Sequence, residues 1–445
     1  MTEPKSKQFD EEQPFMIRPQ LQEFMRRMDQ KSVAIIPSAR EATRSNDTQY
    51  RFRQDSDFYY LTGFEEPDSI AVVAPGREQK YTLFVRPRDP EQEIWVGRRA
   101  GVEGAKSEFG ADESFPVAEF ETKLHDILDG AEKLYYRLGA YPDLDTKIIR
   151  RIADMRALNR KPIHPPRTII DPATIVHEMR VFKSADEIDL MQKAADIAAE
   201  AHVEAMKAVR PGMKEYEVEA LIEQIFRRAG ASGPSYNSIV GAGANATVLH
   251  YINNDGELRD GELLLVDAGA EYKGYASDIT RTFPINGRFN KAQREIYDLV
   301  METQMSCVEM VRPGVTHDEL KAHSVEMLTE GMVKLGLLKG EPAELIKEEK
   351  YKQFYMHGLG HLLGIDVHDV GIYYYDKQSR ALEPGVVMTV EPGIYVAPDT
   401  KDIPEQYLGI GVRIEDDVLC TANGPRVLTT GVPKDAGEIE ALMAK

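Results

Sequence analysis

Gly261-Glu-Leu-Leu-Leu-Val-Asp267-Ala-Gly269 recurs later in the chain as Gly385-Val-Val-Met-Thr-Val-Glu391-Pro-Gly393: glycine, four residues, valine, an acid, one residue, glycine. Each run is apolar or β-forming and ends on a carboxylate, where an unpaired negative charge would be very costly. Gly409-Ile-Gly-Val-Arg-Ile-Glu415 is a third run of this kind. Another repeat accompanies the first: Val209-Arg-Pro-Gly-Met213 returns as Val311-Arg-Pro-Gly-Val315, each time between two amphipathic helical patterns. Two repeats in the same order read as an internal duplication. If a pseudo-two-fold axis relates the halves, Asp267 and Glu391 occupy equivalent strands and can meet near it.

Asp267 and a further acid, Asp278, flank a segment that reads as an antiparallel hairpin turning near Lys273-Gly274. A tip midway between Tyr272 and Lys273 would set the two acids directly opposite, with Cβ atoms roughly 5 Å apart. Like charges there repel unless a cation lies between them. Arg413 and Glu415 stand two apart on an expected strand and so share a face; the guanidinium could orient the carboxylates. A single acid is far more often a turn or surface residue, but several acids ending apolar strands in duplicated contexts call for metal. Oxygen-rich ligands with one imidazole suit a pair of divalent ions.

Of the ten histidines, His250, His357, His361 and His368 lie among glycines and short apolar runs. His357-Gly-Leu-Gly-His361 has the spacing of a zinc-peptidase helix, but it lacks the glutamate and carries two glycines, which argues against that helix. A lone histidine here would more often be a satisfied core residue. One ligand and three substrate-handling imidazoles account better for the group.

At 445 residues the chain is too long for one compact core, and two domains are expected. Its net charge of −19 argues against nucleic-acid binding. No stretch approaches the ~18 apolar residues of a membrane helix, and MTEPKSKQFDEEQPF at the N-terminus has no signal-peptide pattern. Cys307 and Cys420 imply no disulfide framework and read as small buried hydrophobes. A cytoplasmic protein follows.

The first 175 residues or so alternate apolar runs with turns. SVAIIPSA, SIAVVAPG, KYTLFVRP, EQEIWV and KLYYRLG read as strands, with helices expected from Gln20 to Gln30 and Val117 to Asp129. The proline-rich Lys161-Pro-Ile-His-Pro-Pro166 and Asp171-Pro-Ala173 read as linker, and Ser184-Ala-Asp-Glu187 as a capping box opening a long helix. Trp95, the one tryptophan, reads first as core packing, and alternatively as a side chain closing a neighbour's active site.

At these residues the chain resembles the pita-bread metallopeptidases, and within them aminopeptidase P (Xaa-Pro aminopeptidase). Pro234-Ser-Tyr-Asn-Ser-Ile-Val-Gly241, Leu249-His-Tyr251, Asp278-Ile-Thr-Arg-Thr-Phe-Pro284 and Met356-His-Gly-Leu-Gly-His361 carry the likeness. So do Val367-His-Asp-Val-Gly371, Val390-Glu-Pro-Gly-Ile-Tyr395 and Gly411-Val-Arg-Ile-Glu-Asp-Asp417. Arg53-Gln-Asp-Ser-Asp-Phe-Tyr-Tyr-Leu-Thr-Gly-Phe64 is similar to that family's first domain. The fold class implied is α/β (α+β): a mixed-sheet α/β domain over 1–175, then a pita-bread catalytic domain over 176–445.

The resemblance implies two divalent ions, manganese first, with cobalt or zinc as alternatives. Asp267 and Asp278 would hold one; Asp278, His361, Glu391 and Glu415 would hold the other, with Asp278 and Glu415 bridging. His250, His357 and His368 would line the substrate pocket. The reaction implied is removal of the residue preceding an N-terminal Xaa-Pro bond by a hydroxide bridging the ions. In it Glu391 would handle the proton, while His368 and His250 stabilise the tetrahedral intermediate. His357 and Tyr395 are candidates for the wall facing the proline ring. A homodimer or homotetramer acting on peptide substrates is expected. The loop Ile372-Tyr-Tyr-Tyr-Asp-Lys377 departs from the family, with Lys377 where arginine is expected, and this leaves preference for longer peptides open. Prolidase, which cuts Xaa-Pro dipeptides, is the nearest alternative, and a non-catalytic pita-bread peptide-binding protein a further one. Methionine aminopeptidase does not require such a first domain, and creatinase-like metal-free chemistry does not need these ligand types.

Overall fold

The computed structural model describes residues 18–444, so the N-terminal signal-peptide reading falls outside it. The chain divides into two compact units, Met1–Met179 and Arg180–Lys445, the division falling within the helix Ala173–Val181.

A six-stranded mixed sheet organises the first unit. Its order is Glu113–Pro116, Tyr81–Val85, Ile70–Val73, Ser32–Pro37, Lys133–Tyr135, Thr168–Ile170. The three inner strands Tyr81–Val85, Ile70–Val73 and Ser32–Pro37 run antiparallel to one another, while the outer pairings are parallel. Val33, Ile35, Val72 and Phe84 pack against the helices Phe120–Leu128 and Pro142–Ala157 to form the core.

Two sequence readings in this unit are corrected. EQEIWV is not a strand but most of the helix Pro90–Val96. Asp89 caps it, its Oδ1 accepting from the amides of Glu91 and Gln92, and Pro90 takes the first helical position, which its fixed φ suits. Trp95 is not core: it is 84% exposed, flanked by Ile94 at 82% and Val96 at 65%. The proline-rich stretch is likewise more than linker, since the edge strand Thr168–Ile170 sits between its two parts.

The second unit repeats one motif twice. The capping box at Ser184 opens Ala185–Ala208, with Ser184 Oγ accepting from the Glu187 amide and Glu187 Oε2 from the Ser184 amide. The helices Ala185–Ala208 and Glu215–Arg228 are followed by Leu263–Asp267 paired with Thr280–Pro284. Lys291–Met310 and His317–Lys334 are followed by Val387–Val390 paired with Asp416–Thr421. The Val-Arg-Pro-Gly turns match in conformation: Gly212 and Gly314 have φ of +91° and +92°, and their amides donate to Leu258 and Leu382 carbonyls at 2.8 and 2.9 Å. Only glycine adopts that backbone without steric cost, which is why the repeat is visible in sequence. Val218, Ile222 and Phe226 of the second helix pack with Leu264, Val266 and Phe283 of the strands. This is the pita-bread architecture joined to an α/β domain. Among the described residues no helix is long and apolar enough to cross a membrane.

Candidate metal centre and active site

The hairpin that carries Asp267 and Asp278 turns one residue later than the symmetric arrangement expected above. Tyr272 pairs with Tyr275, and Asp267 with Thr280, so Asp278 lies two residues before the cross-strand partner of Asp267, diagonal to it. A slip of two keeps both acids on one face, because side chains alternate with a period of two. The Tyr236 hydroxyl closes the gap, 2.5 Å from Oδ1 of Asp267 and 2.5 Å from Oδ1 of Asp278. One phenol has one proton to give, so two ionised carboxylates cannot both be served by it. The pair needs a further proton or cation, and Arg413 supplies one positive charge at Asp267.

Arg413 and Glu415 do not share a strand. Ile410–Arg413 ends at the arginine, and Glu415 stands just before the next strand, its amide donating to the Thr280 carbonyl at 3.1 Å. They meet through Thr280 instead: Arg413 Nε donates to Thr280 Oγ1 at 3.1 Å, and Thr280 Oγ1 donates to Glu415 Oε2 at 2.6 Å. Arg413 also donates to Asp267 Oδ2 at 2.6 Å and to the Tyr395 hydroxyl at 2.9 Å.

His361 reaches the acids along an extended segment. The Thr389 amide donates to the His361 carbonyl, and the Glu391 amide to that of Leu359, so 359–363 runs beside the strand Val387–Val390. Gly360 permits this approach, since a Cβ there would fall 2.0 Å from the Thr389 carbonyl oxygen. The His-Gly-Leu-Gly-His segment is accordingly not helical. His361 Nε2 lies 3.5 Å from Asp278 Oδ2 and 3.7 Å from Glu391 Oε1. Asp278, His361 and Glu415 each offer a ligand atom within 4.8 Å of the others.

All five ligand candidates line one cleft of about 510 Å³, together with His250, His357, His368 and Arg413. Tyr395 is buried behind His357, and Trp95 belongs to the first unit. His361 and His368 stack edge to face, ring centroids 4.3 Å apart. His357 is fully committed within the protein, Nδ1 at 2.7 Å from the Gly358 carbonyl and Nε2 at 2.9 Å from the Tyr395 hydroxyl. With Nδ1–H donating, Nε2 accepts from Tyr395, and the ring has no proton left for a substrate.

Burial and mutual repulsion dominate the electrostatics. Burial, then the charge of Glu415, pushes the Glu391 carboxyl up to about 8. Burial, followed by Asp267 for Asp278 and by Asp278 for Glu415, raises those two well above the carboxylate range. Burial and the Arg413 charge lower His357 to about 3, and burial with the neighbouring His361 lowers His368. Four candidate ligand carboxylates face one guanidinium, an arrangement that two dications would balance to within one charge. The donor set, carboxylate oxygens with one imidazole, fits hard divalent ions.

Comparison with known proteins agrees. Residues 189–422 match the model of "Metallopeptidase family M24", and residues 18–135 that of "Aminopeptidase P, N-terminal domain". The chain belongs to metallopeptidase family M24. Xaa-Pro aminopeptidase of Escherichia coli is 48% identical over 431 residues, covering 95% of this chain and 97% of that protein. Among solved structures, the aminopeptidase PepP of Pseudomonas aeruginosa superimposes with a TM-score of 0.94 at 48% identity, covering 96% of this chain and 99% of that one. E. coli aminopeptidase P with the inhibitor Pro-Leu gives a TM-score of 0.92 at 47% identity, covering 95% and 96%.

Several residues of this M24 site carry no role in the sequence reading. Tyr236 and Thr280 link the acids, and nothing local marks them beyond lying in the quoted motifs. Asp417 is buried, with Oδ2 accepting from the Asp278 amide at 3.1 Å. Asp369, next to His368, is buried between Arg180 at 2.5 Å and Lys183 at 3.1 Å. Its amide donates to the Leu362 carbonyl, closing the loop that presents both His361 and His368. The loop after His368 folds as a small exposed hairpin, Tyr374–Tyr375 with Gln378–Ser379.

Proposed function

We infer that this chain is a metal-dependent aminopeptidase that removes the N-terminal residue from peptides with proline second. The observation that carries the reading is the convergence of Asp267, Asp278, His361, Glu391 and Glu415 on one cleft, in a chain with Xaa-Pro aminopeptidase relatives along nearly its whole length. Prolidase and the peptide-binding alternative are not favoured.

Asp267 and Asp278 would hold one divalent ion and Asp278, His361, Glu391 and Glu415 the other, with manganese our choice over cobalt or zinc. When bound, such a pair supplies Lewis acidity at the scissile carbonyl and lowers the pKa of water. Glu391, on the cleft wall beside His361, is the carboxylate placed to take a proton from the attacking water and return it. Neutral His368 presents an N–H to developing negative charge on the carbonyl oxygen, with His250 on the same cleft wall. An Xaa-Pro bond lacks an amide hydrogen, so recognition falls to shape. The committed ring of His357 and the phenol behind it form a rigid wall for a pyrrolidine. Arg413 holds Asp267 and Tyr395 in place. We further propose a cytoplasmic homodimer or homotetramer in which the solvent-facing Trp95 closes a neighbouring protomer's cleft.

The test is hydrolysis of an Xaa-Pro-Xaa tripeptide beside the Xaa-Pro dipeptide and an Xaa-Ala-Xaa control. Turnover of the proline tripeptide, abolished by a chelator and restored by manganese, is expected. Cleavage of the dipeptide alone would make the enzyme a prolidase. For His368→Ala we expect kcat to fall by about 10²-fold with little change in KM. A change confined to KM would make His368 a binding residue only.

A further inference from the structure

Glu215 is the first residue of the helix Glu215–Arg228 and is completely buried, yet it touches no group of the metal centre. Its two oxygens gather polar groups from one loop. Oε1 accepts from the Ala242 amide at 2.7 Å and from Asn245 Nδ2 at 2.9 Å. Oε2 accepts from the Gly256 amide at 2.6 Å and lies 2.8 Å from the Tyr251 hydroxyl, which is shared with Asp255 at 3.0 Å. The Glu215 amide in turn donates to the Gly256 carbonyl at 3.0 Å. A single carboxylate therefore ties both ends and the middle of residues 242–256. Gly256 is what lets the chain come so near, because a Cβ there would lie 2.8 Å from both Glu215 oxygens.

That loop is a wall of the cleft. Leu249, His250 and Ile252 all line it; Val248 and Ile252 are about half exposed, while Leu249 and Tyr251 pack against Ile239, Ala246, Leu265 and Tyr395. The internal duplication supplies an independent parallel. The offset that carries Val209-Arg-Pro-Gly onto Val311-Arg-Pro-Gly carries Glu215 onto His317, the first residue of the helix His317–Lys334. His317 Nε2 lies 2.9 Å from the Gly360 carbonyl, between His357 and His361. In both halves the residue opening the second helix reaches across to a histidine-bearing loop.

We propose that Glu215 is a positioning residue for substrate binding: it sets the loop that presents His250, Leu249 and Ile252, without acting on the metal ligands. This rests on the peptidase reading above. A carboxylate is required because all the groups facing it are donors; an amide would turn an N–H toward one of them. Misplacing a substrate-contacting loop by about 1 Å can cost about 10²-fold.

Glu215→Gln, Tyr251→Phe and Asn245→Ala would be compared with the wild-type holoenzyme on a proline tripeptide, with bound manganese counted in each. Glu215→Gln is expected to keep wild-type metal content, to raise KM at least ~10-fold and to lower kcat/KM by about 10²-fold. The two partner variants, each removing one donor, should show smaller shifts in the same direction. They carry the test if Glu215→Gln fails to fold. Wild-type KM in all folded variants would overturn the proposal, as would metal loss with KM unchanged in the remaining active fraction. Amide hydrogen exchange at 242–256 separates this from failure of the peptidase reading, since it needs no turnover. Exchange there should accelerate at least ~10-fold in Glu215→Gln, or in Tyr251→Phe if that variant alone folds, and unchanged protection would also refute the proposal.

Discussion

Asp278→Asn is expected to lower kcat on Xaa-Pro tripeptides by about 10³-fold or more, with the protein still folded. The asparagine keeps the shape of the side chain and one acceptor oxygen, so the hairpin and the Tyr236 contact can persist. It removes the negative charge and one oxygen of the residue that approaches both His361, at 3.5 Å, and Tyr236, at 2.5 Å. If Asp278 bridges two ions, metal analysis should show fewer than two equivalents retained. The Glu415 charge, no longer opposed by Asp278, should be easier to form, so the remaining acids need not lose their hold on a single ion. Appreciable turnover with two metals bound would contradict a bridging role for Asp278.

The metal-free protein should lose stability as pH rises from about 6.5 to about 8, above the range in which the depressed His357 and His368 act in the opposite sense. Glu391 is held near 8, and Asp278 and Glu415 are also raised, all by burial first and neighbouring carboxylates second. An acid whose folded-state pKa exceeds its unfolded one keeps its proton in the native state after the unfolded chain has lost it. In that window the native state binds more protons, so stability falls with pH by up to about 1.4 kcal/mol per unit for each such group. Divalent metal replaces those protons. Its stabilisation should therefore grow across the same range, and binding at pH 7 should release at least one proton. Melting curves at several pH values, with and without manganese, check the first expectation; calorimetry in two buffers of different ionisation enthalpy checks the second. A metal-free melting temperature that climbs from about pH 6.5 to about 8, with no proton release on metal uptake, would refute this account of the site's electrostatics.

The parts of this molecule legible in the linear chain are those whose cause is local or periodic. An acid at the end of an apolar strand is recognisable because a buried charge demands compensation, and three such runs expose Asp267, Glu391 and Glu415. The twin Val-Arg-Pro-Gly turns are recognisable because a left-handed backbone leaves glycine as its mark, and Ser184 to Glu187 because a capping box closes within one helical turn. The helix around Trp95 was equally local, but the signal lay in Asp89-Pro90, whereas the β-forming Ile-Trp-Val that follows pointed the other way.

What folding in three dimensions added is register and polar satisfaction across long separations. The turn slipped by one residue, which sets Asp267 against Thr280; Thr280 then joins Arg413 to Glu415 more than a hundred residues away. Tyr236 between two acids, Asp369 between Arg180 and Lys183, and Glu215 beneath the His250 loop follow the same logic. Each is an ordinary polar residue in its own neighbourhood. Its role arises because a donor or acceptor removed from water must find a partner, and the partner is chosen by which distant segment the fold brings within about 3 Å.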